Sequence, residues 1–128
     1  MVSVKIFSIL AIAATVLAAP AAVEKRSFSG DATYYNPSAG TNSCGTQASD
    51  SDIMAAMNVA QMQNGANPNA NPNCGRKVAI KGPKGSVTVT ILDTCPGCAS
   101  GDIDMSPAAF DKIADEAQGR VPITWNWA

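Results

Sequence analysis

Four cysteines, Cys44, Cys74, Cys95 and Cys98, follow an N-terminus that reads as an export signal, and together these features confine the chain to a small domain held by disulfides. Residues Val2 to Ala19 carry one charge, Lys5. They then run apolar through Ile6-Phe7, Ile9 to Ala14 and Val16-Leu17 to small residues, the pattern of a signal peptide. Cleavage after Ala18 assigns residues 1–18 to that signal. The apolar run is too short to cross a hydrocarbon core of about 30 Å, so no membrane association is expected after processing. Residues 19–26 end in Lys25-Arg26 and resemble the pro-segments cut by kexin-type proteases in fungal secretion. The mature chain then begins at Ser27, and residues 27–128 suffice for one core but not two. A secreted, extracellular, single-domain protein is expected, and a monomer.

An even number of cysteines in an exported domain makes two disulfides the first expectation, with three connectivities open. Cys95-Pro96-Gly97-Cys98 has the spacing of a redox motif or of half a zinc site. Cys44 and Cys74 are solitary, however, and the chain holds no histidine, so no metal and no cofactor is implied. The lack of histidine also removes Ser-His-Asp and Cys-His triads, leaving carboxylates for any proton transfer. Within residues 27–128, nine acidic side chains face six basic ones, a net of −3. That balance provides no phosphate-neutralising stripe and excludes nucleic acid as a partner. No Asn-x-Ser/Thr acceptor with a permitted middle residue is present.

The local patterns are mostly extended. Thr33-Tyr34-Tyr35 reads as a strand stopped by Asn36-Pro37. Residues 53–62 mix helical and extended signals, and Asn64 to Asn73 is a loop without periodicity. Val78-Ala79-Ile80, Gly82-Pro83-Lys84-Gly85 and Val87 to Leu92 read as strand, turn and strand, with Val87, Val89 and Ile91 on one face and threonines on the other. Ser106-Pro107 is a cap followed by proline at the first helical position, and Phe110, Ile113 and Ala114 form one apolar stripe, which predicts a helix of about three turns ending at Gly119. Val121 to Trp125 alternates as a closing strand, with Pro122 placed where its missing donor needs no partner. A mostly β fold with one main helix follows, a small barrel rather than a sandwich.

The ordered blocks Gly30-Asp31-Ala32-Thr33-Tyr34-Tyr35, Ser43-Cys44-Gly45, Asn73-Cys74-Gly75, Asp93-Thr94-Cys95-Pro96-Gly97-Cys98, Asp102-Ile103-Asp104-Met105-Ser106-Pro107-Ala108-Ala109-Phe110 and Val121-Pro122-Ile123-Thr124-Trp125 resemble the RlpA-like double-psi β-barrel family. This family includes the first domain of expansins, barwin and small secreted proteins. The resemblance covers residues 29–127 and implies a six-stranded double-psi barrel with a groove along one face, where polysaccharide lies in expansins. It places Thr33, Asp93 and Asp104 in that groove. Tyr35, two residues beyond Thr33, shares its face by strand alternation. The resemblance also suggests pairing Cys44 with Cys74 and Cys95 with Cys98. Where bacterial expansins carry an aromatic after the central aspartate this chain has Cys95, the expansin His-Phe-Asp motif is not matched, and no second carbohydrate-binding domain is expected to follow.

Asp93 and Asp104 are the carboxylate pair available for glycoside hydrolysis, although each also sits where an aspartate serves a turn or a cap. Expansin-like barrels keep the acid and generally lack a competent base. The expectation is therefore a protein that binds or loosens cell-wall polysaccharide, cellulose, chitin or another glucan, without hydrolysis, through Thr33, Tyr35, Asp93 and Asp104. Trp125 and Trp127 are sugar-stacking candidates, but alternation reads Trp125 as core and Trp127 as a terminal lid. Some single-domain members of this type resemble inhibitors of papain-like cysteine proteases, and the loops 64–73 and 94–101 are the candidate inserts for that alternative partner. A weak endoglucanase is the third reading.

Overall fold

The computed structural model describes residues 26–128. The proposed signal 1–18 and nearly all of the 19–26 segment lie outside the described residues.

Six strands carry the fold: β1 (Phe28–Tyr34), β2 (Met54–Asn58), β3 (Lys77–Gly82), β4 (Gly85–Cys95), β5 (Ile103–Met105) and β6 (Val121–Trp127). They close in the order β1-β5-β2-β4-β3-β6, the six-stranded barrel that the resemblance implies. The pairs β1–β5 and β2–β4 are parallel and the other four are antiparallel. Alternating residues fill the interior: Val78 and Ile80, Val89 and Ile91, Ile103 and Met105, Val121, Ile123 and Trp125. Closure leaves no edge strand to be capped.

The β3–β4 hairpin has the register expected from its alternation, with Gly82 opposite Gly85 at the turn. The helix at Ser106 is shorter than its apolar stripe predicts. Ser106 does cap it, accepting from the Ala109 amide at 3.2 Å, but α2 is the single turn Pro107–Phe110. Beyond Phe110 the chain tightens into three-residue bonds, the Lys112 amide donating to the Ala109 carbonyl and the Ile113 amide to the Phe110 carbonyl, and the Ile113 carbonyl accepts from the Lys84 amide of the β3–β4 hairpin at 2.8 Å. Phe110, Ile113 and Ala114 are all still buried, so the stripe packs without the helix. A second short helix, α1 (Val59–Met62), leaves the end of β2 and is capped by Asn58. The ladder between β3 and β6 ends at Lys81 and Thr124 and stops short of Pro122.

At Gly30 and Gly101 two backbone segments approach too closely to admit a side chain. A Cβ on Gly30 would collide with the Gly101 carbonyl, and one on Gly101 would collide with the Ser29 carbonyl. Gly101 also has φ +92°, a region open to glycine at little cost. Its carbonyl accepts from the indole of Trp125 at 2.8 Å. The cysteines pair as Cys44–Cys74 and Cys95–Cys98.

Candidate functional site

Strand register brings three of the candidate residues into one line across the outside of the barrel. Thr33 of β1 lies opposite Asp104 of β5. Asp104 lies opposite Ala56 of β2, and Ala56 lies opposite Asp93 of β4. Ala55 and Met57 belong to the core cluster, so alternation turns Ala56 outward with the carboxylates. Two strand spacings separate the backbones of Asp93 and Asp104, about 9–10 Å. Between them the floor is a single methyl group. A larger residue at position 56 would fill the space.

Asp93 reaches this face through an irregularity. The β2–β4 register passes from Ala55 opposite Ile91 to Ala56 opposite Asp93, skipping Leu92. Simple alternation from Ile91 would have sent the side chain of Asp93 toward the core. The extra residue is a β-bulge, which re-aims the side chains after it.

The two aspartates are held differently. Asp93 Oδ1 accepts from the amides of Ser43 and Thr94, both at 2.9 Å. Its Oδ2 accepts from the Tyr35 hydroxyl, also at 2.9 Å. Three donors thus occupy both of its oxygens. Asp104 Oδ1 accepts only from the Thr33 hydroxyl at 2.9 Å, and Oδ2 has no protein donor among the described residues. Burial pushes the Asp104 carboxyl above the ordinary range, opposed by the Thr33 bond; Asp93 adds to the rise and Arg120 opposes it. Burial, then the charge and hydrogen bond of Asp93, raise the Tyr35 phenol, which therefore remains a neutral donor.

Met54 and Arg120, which neither composition nor motif singled out, complete the surroundings together with the loops 64–73 and 94–101. Tyr35 lies over Met54, its hydroxyl 4.0 Å from the sulfur. Arg120 reaches Asp31 at 3.3 Å and Asp102 at 3.7 Å, placing a cation at the β1–β5 end of the line. At the Asp93 end three loops converge on Thr94. Its hydroxyl meets Ser43 Oγ at 2.8 Å and accepts from Asn64 at 3.0 Å. Asn71 in turn donates to Asn64 at 2.7 Å and to the Met62 carbonyl at 2.8 Å. The Cys44–Cys74 bridge ties two of these loops together. The loops 64–73 and 94–101 therefore form one continuous rim whose tips, around Asn67 to Ala70 and Pro96-Gly97, are exposed.

The tryptophans stand apart from this face. Trp125 is 1 % exposed. Trp127 packs edge-on against it, and the Arg76 guanidinium covers its ring at 4.0 Å from the centroid. No group of three His, Cys, Asp or Glu side chains among the described residues is arranged to hold a metal ion.

A family model described as lytic transglycolase matches residues 27–125. An EG45-like domain containing protein of Citrus jambhiri is 34 % identical over 107 residues, covering 77 % of this chain and 80 % of the relative. The papain inhibitor of Streptomyces mobaraensis is 35 % identical over 120 residues, covering 88 % of this chain and 82 % of the relative. The solved structure of a Streptomyces papain inhibitor superposes with a TM-score of 0.74 at 34 % identity, over 80 % of this chain and 94 % of that one. An expansin of Clavibacter michiganensis, solved as a mutant in complex with cellohexaose, superposes with a TM-score of 0.70 at 25 % identity. That match covers 80 % of this chain and half of the expansin.

Proposed function

The chain belongs to the RlpA-like double-psi β-barrel family, and from that premise we propose that it is a secreted protein that binds or loosens cell-wall polysaccharide without hydrolysing it. The observation that carries this reading is the unequal state of the two aspartates. Asp104 keeps one oxygen free and its carboxyl is raised, so it is equipped to hydrogen-bond or protonate a sugar oxygen. Asp93 has both oxygens committed to Tyr35, Ser43 and Thr94. Hydrolysis needs a second carboxylate free to act as base or nucleophile, and Asp93 is tied down as an anchor. The half-buried Thr33, Asp104 and Asp93, aligned over a buried Ala56, offer a row of polar groups to an extended chain of neutral sugars. The structural likeness to an expansin solved with cellohexaose supports the substrate class.

The test is sedimentation of the purified secreted protein with insoluble cellulose and chitin, with the supernatant assayed for reducing sugar. Depletion without sugar release is expected. Release that disappears in Asp104→Asn would make the protein a hydrolase, and absence of depletion on every polymer would overturn the reading.

A specific observation also favours a second reading, inhibition of a papain-like cysteine protease. The chain accounts for 94 % of the superposed papain inhibitor but only half of the expansin. The rim of loops locked at Thr94, Asn64 and Cys44–Cys74 is preorganised, so insertion into a cleft would cost little ordering entropy. Titration of papain activity with the protein tests it. Stoichiometric loss of activity supports inhibition, and full activity at excess protein ends it.

A further inference from the structure

A second line of residues crosses the opposite wall of the barrel. Ser86 of β4 lies opposite Lys81 of β3, Lys81 opposite Thr124 of β6, and Thr124 opposite Ser29 of β1. All four side chains are exposed. The line has the same construction as Asp93, Ala56, Asp104 and Thr33, but with hydroxyls and one amine in place of carboxylates. Two depressions open along it. One, of about 520 Å³, is lined by Ser29, Lys81 and Thr124 together with Gly82, Pro83 and Pro122. The other, of about 250 Å³, is lined by Lys81, Ser86 and Thr124 together with Ala79 and Asn126. Lys81 and Thr124 border both.

The charge of this wall is unspent. Lys84 pairs with Asp115, and Arg120 with Asp31 and Asp102, whereas Lys81 forms no ion pair among the described residues. Lys77, two outward positions along β3, donates only to the Thr90 hydroxyl, at 3.0 Å. Neither depression is lined by an Asp or a Glu. An ammonium group unpaired among the described residues and bordering two shallow depressions, with the Ser29, Ser86 and Thr124 hydroxyls beside it and an apolar floor of Pro83 and Pro122, attracts an anion and leaves donors and a flat surface for its hydroxylated neighbours.

We propose that the β3–β4–β6 wall is a second carbohydrate site, which takes a carboxylate-bearing saccharide with Lys81 on the carboxylate and Ser29, Ser86 and Thr124 on the adjacent hydroxyls. The proposal is independent of what the Asp104 face binds. With both faces occupied, one small barrel would bridge a neutral chain and an acidic one.

The experiment is amide NMR of the ¹⁵N-labelled secreted protein titrated with a galacturonic acid oligomer, its fully methyl-esterified form and cellohexaose. The acidic oligomer is expected to shift amides around Ser29, Lys81, Ser86 and Thr124. Lys81→Ala should weaken that binding about fivefold, as loss of one exposed charge contact does, while Lys81→Arg keeps it. Added salt should weaken it as well, and Asp104→Asn should leave it unchanged. Shifts confined to the Asp104 face, equal binding of the methyl ester, unaltered affinity in Lys81→Ala, or no shifts with the acidic oligomer would each overturn the proposal.

Discussion

The Tyr35 hydroxyl donates to Asp93 Oδ2 at 2.9 Å, fastening the end of the first strand to the β4 bulge. The same carboxylate holds the Ser43 amide and the amide of its neighbour Thr94, so it fastens the end of β1 and the Ser43 loop to β4. Removing all its acceptors leaves donors without partners, which costs about 1–3 kcal/mol each where water cannot replace them. Asp93→Ala should therefore destabilise the protein by about 2–4 kcal/mol. Asp93→Asn keeps one oxygen for the two amides and lets the Tyr35 hydroxyl turn, so its cost should stay under about 1 kcal/mol. Urea melts of the two variants check the ordering. Near-equal stability of Asp93→Ala and wild type would remove Asp93 from its anchoring role.

The two disulfides should differ in what they contribute. Cys44–Cys74 closes a loop with a sequence separation of 30, and Cys95–Cys98 one with a separation of 3. The chain-entropy relation assigns about 3.5 kcal/mol to the longer loop and about 2 kcal/mol to the shorter. For a domain of this size, the Cys44→Ser/Cys74→Ser variant should melt on the order of 15 °C lower, and the Cys95→Ser/Cys98→Ser variant roughly half as much lower. Calorimetry of both variants, and of the wild type in reductant, tests this.

The parts of the fold that could be read ahead of the structure are those whose signals are local. The hairpin from Lys77 to Cys95 is written in a two-residue period and a Gly-Pro-Lys-Gly turn, and the Ser106 cap in one hydroxyl before a proline. The length of α2 could not be read, because the tight turns after Phe110 bury Ile113 and Ala114 as fully as a continued helix would. At the candidate site, Thr33, Asp93 and Asp104 were nameable through a family likeness, and Tyr35 through alternation from Thr33. The means of bringing Asp93 to the same face was not, because a bulge at Leu92 leaves no mark in composition or period. Ala56 escaped for a related reason: a small apolar residue in a buried strand has no chemical signature until its neighbours across two ladders are known. The lysine line at Lys81 is likewise a product of register.

The contact between Gly30 and Gly101 predicts a sharp intolerance. Gly30→Ala would put a methyl group against the Gly101 carbonyl, which is itself fixed by Trp125. No flexible side chain is available to give way, so β1 must separate from the β5 entry. Gly101→Ala adds the strain of a positive φ to the same clash. Either substitution should cost at least about 3 kcal/mol, seen as loss of secreted folded protein or a collapsed melting transition. Gly40→Ala, where a Cβ meets nothing, should be neutral. A Gly30→Ala variant that melts like wild type would show that the crossing is looser than the geometry requires.

The raised carboxyl of Asp104 gives a pH dependence with a definite sign. Its proton is held more tightly in the folded state than in the unfolded one, mainly because burial disfavours the charged form. The resulting contribution to stability is fully present below the unfolded carboxylate range, near pH 4. It is lost as pH rises through the higher folded value. Asp104→Asn keeps an oxygen for the Thr33 hydroxyl and carries no charge, so at pH 7 it should be at least as stable as wild type. Any advantage should shrink as pH falls through the raised folded value toward about 4, and stay constant below that. Polysaccharide binding should move the other way, because Asn lacks the acid and its charge. About tenfold weaker retention on the insoluble polymer that wild type binds is expected, the worth of one hydrogen bond to a charged group. Melting curves from pH 3 to pH 8 and binding isotherms on the same two proteins separate the alternatives. Weaker binding with unchanged or higher stability places Asp104 in contact with sugar. Loss of both makes it a strand-to-strand tie through Thr33 and removes the observation on which the groove reading rests.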